Sequence, residues 1–120
     1  MWQIEFYETE RGECPLDSFI DGSNAKVRSK FVRALDLLEE YGPGLKRPFA
    51  DILRDGIREL RIRFGTDRIR ALYFFFEGSR IIVTHGFVKK TDEVPVSEIE
   101  RAIRCRNNFL SRHASRRRKS

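Results

Sequence analysis

Arg61 and Arg63 stand two residues apart, and Arg68 and Arg70 repeat that spacing after Gly65-Thr66-Asp67. If the two pairs lie on adjacent strands of a hairpin, alternate residues point to one face and four guanidinium groups crowd a small area. From Arg54 to Arg70 the sequence holds six arginines against three acids. Like charges so placed repel. Glu59 and Asp67 offset part of that repulsion, and a polyanion would offset the rest, because guanidinium forks match phosphate oxygens in pairs. The alternative is a solvated sheet face with scattered ion pairs.

A second group stands in THGFVKKTDEVP, Thr84 to Pro95. His85, Phe87 and Lys89 share strand parity and Lys90 follows at the strand end. An exposed Phe87 could stack on an unpaired base, worth about 1–3 kcal/mol, and His85 could transfer a proton near neutral pH. Each also has an ordinary structural explanation: a core ring and a hydrogen-bonded strand histidine.

No other constellation competes. The carboxylates are scattered, no glycine-rich phosphate loop is present, and Cys14 and Cys105 form neither a CxxC pair nor a His/Cys cluster. No metal or cofactor is therefore expected. What remains is catalysis by positive groups and proton transfer. That combination suits RNA cleavage, in which the RNA supplies its own 2′-hydroxyl nucleophile. The protein then has to align that hydroxyl, neutralise developing charge and move protons.

The elements that must position these residues form a small α+β domain. Trp2 to Tyr7 alternates as a half-buried strand. A short helix opens at Pro15, since proline is comfortable in a first helical turn. Val27, Phe31, Ala34, Leu35 and Leu38 recur on one face of a second helix, which Gly42-Pro43-Gly44 stops. From Ile57, three strands joined by tight turns read as an antiparallel meander. A last helix starts near Pro95, with Ser97 and Glu100 as an alternative capping box. The expected order is strand, two helices, three strands, helix, with the helices on one face of a curved antiparallel sheet.

The chain of 120 residues has the length of one domain, expected to span residues 1–112 and to be followed by a basic tail at 113–120. The net charge of +6 lies in the last twenty residues, where eight basic residues meet no acid. The first hundred carry 16 basic and 18 acidic groups, a balance of −2. The tail reads either as a nucleic-acid contact or as a solvated, frayed end. No secretory signal and no apolar run approaching the roughly 20 residues needed to span a bilayer is visible, so a cytoplasmic location is expected.

The run from Asp55 to Ala102 resembles the RelE/ParE toxin superfamily, in particular its phage-derived, HigB-like branch. The resemblance rests on ELR at Glu59–Arg61, R-x-R-x-x-Y at Arg68–Tyr73, HGFVKK at His85–Lys90 and P-x-x-E-I-x-x-A at Pro95–Ala102. It implies a type II toxin that binds the ribosome and cuts mRNA without metal. A cognate helix-turn-helix antitoxin would be its partner. Carried over by position, Arg61, Arg63, Arg70, His85 and Lys89 become the catalytic candidates, with Arg68, Phe87 and Lys90 holding RNA. Arginines stand at 61 and 63 where relatives often have lysines, and Val94 precedes Pro95 where many have threonine. The superfamily also contains ParE-like poisons of DNA gyrase, and a non-catalytic RNA- or ribosome-binding remnant of a phage toxin is a third reading.

Overall fold

The computed structural model describes residues 1–119. Of Ser115 and residues 117–119 only the backbone is described. Those side chains and Ser120, which make up part of the expected basic tail, lie outside the described residues. The chain runs β1 (Gln3–Phe6), α1 (Pro15–Asp21), α2 (Ala25–Tyr41), a single 3-10 turn at Gly42–Gly44, β2 (Ala50–Arg54), β3 (Ile57–Phe64), β4 (Asp67–Phe76), β5 (Arg80–Lys89) and α3 (Val96–Lys119).

One five-stranded sheet has the order β1-β5-β4-β3-β2. The meander β3-β4-β5 is antiparallel as expected, whereas β1 lies parallel to β5, with Ile4 beside Ile81. The sequence reading lacked β2, an edge strand paired only with β3. Its residues ADILR show no clean alternation, and Ile52 is 65% exposed, so period-two patterning had nothing to detect.

Helices cover both faces, not one. Leu16 of α1 and Val27, Phe31 and Leu38 of α2 pack on Leu60, Ile62, Ile69, Ala71 and Tyr73. Ala102, Ile103 and Phe109 of α3 pack on Leu72, Phe74 and Ile82 of the opposite face. Strands β4 and β5 are apolar on both sides because each face has its own helical cover. Pro15 opens α1 and the Asn24 side chain accepts the Val27 amide at 2.9 Å to cap α2. At the far end, α3 starts at Val96, ahead of Ser97, and continues past Arg112 to Lys119. There His113 lies 4.7 Å from Phe76, ring centroid to ring centroid. Among the described residues no helix is long and apolar enough to cross a membrane.

Candidate functional site

The face under α3 has two halves. Toward Phe76 it is apolar and covered by Phe109, whose ring meets those of Phe74 and Phe76 at 5.8 and 5.0 Å. Toward the Gly65 turn the same face is polar and basic. The hairpin register places Arg61 beside Arg70 and Arg63 beside Arg68. The next strand adds Phe87 beside Arg70 and Lys89 beside Arg68. Alternation then puts Glu59, Arg61, Arg63, Arg68, Arg70, Phe87 and Lys89 on one side of the sheet. Paired Cα atoms lie only about 4.5–5.5 Å apart, so these charges are near neighbours.

A bulge makes this possible. Leu72 pairs with His85 but Tyr73 pairs with Val83, leaving Thr84 unpaired in between. The extra residue changes the facing of β5. Val83 packs with the α1–α2 core, while Phe87, four residues on, packs under α3. A regular strand would send both to the same side.

Burial separates the members. Arg63 and Lys90 are exposed and Arg61 and Arg68 are half-buried, while Arg70 is 3% and Lys89 7% exposed. Glu59, also buried, brings one carboxylate oxygen within 3.3 Å of Arg61 Nε and 3.5 Å of Arg70 Nε. The Arg70 guanidinium donates from one terminal nitrogen to the Ile69 carbonyl at 3.0 Å. Its Nε and the second Glu59 oxygen are buried without a hydrogen-bond partner. The cluster is thus pre-built, strongly cationic and incompletely satisfied.

The electrostatics agree. Burial lowers the pKa of Arg70; Glu59 works against that, and Arg61, Arg68 and Arg63 reinforce it. Burial likewise lowers the pKa of Lys89, with the Arg70, Arg68 and Arg61 charges adding and Glu59 opposing. Lys89 Nζ donates to the Asp92 carbonyl at 2.9 Å and borders a groove of about 330 Å³ shared with Glu59, Arg61 and Arg47. An ammonium destabilised by its neighbours gives up its proton more readily than a free lysine.

His85 and Phe87 are placed differently from what proton transfer and base stacking require. His85 is 1% exposed. Its Nδ1 lies 2.9 Å from the Thr84 hydroxyl and its Nε2 3.1 Å from a Glu98 carboxylate oxygen. A neutral ring with its proton on Nε2 donates to Glu98 and accepts the one Thr84 hydroxyl proton, for which the Leu72 carbonyl, 3.2 Å from that hydroxyl, competes. Burial, aided by the Arg101 charge, lowers its pKa to about 3. The Glu98 carboxylate oxygen beside Nε2 pulls the other way. Phe87 is 8% exposed and stacked on His85 at 5.8 Å. The pair forms the floor of the site.

Glu59, expected from the sequence to offset part of the repulsion, does so from within the cluster of arginines. One feature of the site was not anticipated. Phe49, just before β2, is 48% exposed beside the arginines, and the only signal for it was a large aromatic in a segment without periodicity. Arg58, counted with the basic run, belongs to the opposite face: it donates to the Pro43 carbonyl at 3.2 Å and lies 4.9 Å from the Phe75 ring centroid. Among the described residues no group of three or more His, Cys, Asp or Glu side chains is arranged to hold a metal.

A comparison with curated proteins finds no match. The profile of the family described as Phage derived protein Gp49-like (DUF891) matches residues 18–107, a span that contains α2, β2–β5 and every basic residue of the cluster. With three quarters of its length matched, the chain belongs to the phage-derived Gp49-like family, itself part of the RelE/HigB-like toxin family.

Proposed function

We propose that this protein is the toxin of a toxin–antitoxin pair and acts as a ribosome-dependent mRNA endonuclease in the cytoplasm. The observation that carries the proposal is the register Arg63–Arg68–Lys89 beside Arg61–Arg70 on one sheet face. A scissile phosphate on that face gains charge in the transition state, and fixed guanidinium groups stabilise such charge better than mobile water does. Arg61 and Arg70, held by Glu59, supply the fixed part. Arg63 and Arg68 grip the flanking backbone, and Lys90 extends the reach.

In the cleavage step, the 2′-oxygen attacks phosphorus and loses its proton to water. The bond from phosphorus to the 5′-oxygen breaks, and Lys89 protonates that leaving oxygen. The products are a 2′,3′-cyclic phosphate and a 5′-hydroxyl. Lys89 suits the acid role because its surroundings lower its pKa. His85 and Phe87 position the strand that carries Lys89 and take no part in proton transfer.

The burial of Arg70 and Lys89, along with that of His85 and Phe87, favours one rival, a non-catalytic RNA-binding remnant. Purified protein with ribosomes and a defined message separates the two. Cleavage products ending in cyclic phosphate, reduced about 100-fold or more in Arg63→Ala or Lys89→Met, support the endonuclease. Binding without cutting supports the remnant.

A further inference from the structure

We propose that Phe49 is a stacking platform for an unpaired nucleobase whose phosphate is held by Arg61, Arg63 and Arg70. The proposal rests on the RNA reading of the basic face and adds the contact that orients the strand.

Phe49 belongs to neither apolar core and is 48% exposed. Its backbone is nevertheless pinned. The Phe49 amide donates to the Lys46 carbonyl at 2.9 Å, the Ala50 amide to the same carbonyl at 3.1 Å, and the Arg61 amide to the Phe49 carbonyl at 2.8 Å. Ala50, the next residue, is 1% exposed. Phe49 is the last turn residue before β2. With Arg61, Arg63 and Arg70 it borders a depression of about 410 Å³.

A solvent-facing aromatic costs hydrophobic stabilisation unless something covers it. Here the neighbours are three guanidinium groups, which attract phosphate. A nucleotide brings phosphate and an apolar base face together, and that pairing fits a basic groove with an aromatic platform. Phe87, the aromatic expected from sequence to do this, is covered; Phe49 is not.

The test is fluorescence anisotropy with a labelled single-stranded RNA hexanucleotide carrying 2′-O-methyl groups, which block cleavage. A second probe has the same backbone but abasic positions. Phe49→Leu is expected to weaken binding of the base-bearing probe by about 5- to 100-fold, leave the salt slope unchanged and leave abasic binding unchanged. Phe49→Trp is expected to restore affinity. Arg63→Ala is expected to flatten the salt slope by about 0.7. If Phe49→Leu binds like wild type while Arg63→Ala is impaired, the platform is refuted and the RNA face stands. An equal loss on both probes also refutes stacking. If wild type binds neither probe, both readings fall.

Discussion

Arg70 shows how burial changes what a charge does. The sequence invites the view that Arg70→Ala would remove transition-state stabilisation and leave the fold alone. The side chain is instead 3% exposed and faces an equally buried Glu59. Its removal leaves a carboxylate held by Arg61 alone, so Arg70→Ala is expected to lower stability by on the order of 3 kcal/mol as well as activity. Glu59→Gln with Arg70→Met should recover most of that stability, measured as the urea midpoint. His85 makes a separate prediction. Its pKa is about 3 in the folded chain and 6.5 as the ordinary value. The unfolded chain therefore takes up a proton as pH falls below 6.5 while the folded chain does not. Stability is complete above that pH and drains away toward pH 3. Between pH 7 and 5 the loss attributable to His85 is about 2 kcal/mol. His85→Gln should flatten that part of the stability profile, and an unchanged slope would show that His85 is protonated in place.

At the scale of elements, the site depends on how β5 is seated. The Thr84 bulge turns Phe87 and Lys89 toward α3, and α1 presses on the strand from behind. Gly86 is the contact point: a Cβ there would sit 2.8 Å from the Phe19 ring. Gly86→Ala is expected to cost about 1–3 kcal/mol by overpacking, and Phe19→Leu in the same chain should return most of it. Equal melting temperatures for wild type and Gly86→Ala would show that α1 is not seated as described. These elements differed in how plainly they could be read. The helix α2 and the meander carry strong periodicity, and the shared parity of His85, Phe87 and Lys89 was correct. The bulge was invisible because one extra residue leaves no compositional mark. Strand β2 was invisible because an exposed edge strand need not alternate. The side of the sheet taken by α3 follows from two apolar faces on β4, which the run LYFFF shows only as general burial. Burial of Arg70, Lys89 and His85 could not be read from residue type, since charged and polar residues read as surface until their neighbours are known.

The whole molecule separates two positive regions. The cluster lies at the Gly65 end of the sheet, while α3 carries its basic C-terminal turns toward Phe76 and Glu77, where His113 Nε2 stands 3.5 Å from a Glu77 carboxylate oxygen. From Arg70 to Phe76 along β4 is roughly 20 Å, about two and a half Debye lengths at physiological salt. Deleting residues 114–120 is therefore expected to flatten the salt dependence of ribosome binding and leave hexanucleotide binding unchanged; a loss on the short probe would place the tail at the site. The proposed activity is RNA cleavage on the cationic face by the RNA's own 2′-hydroxyl. Its most direct test follows a defined message on ribosomes, with a single 2′-deoxynucleotide at the mapped cleavage position and a chelator present throughout. Cleavage of the all-ribose message to a 2′,3′-cyclic phosphate, abolished by that one substitution and by Lys89→Met, is the predicted result. Cutting that survives loss of the 2′-hydroxyl would contradict it.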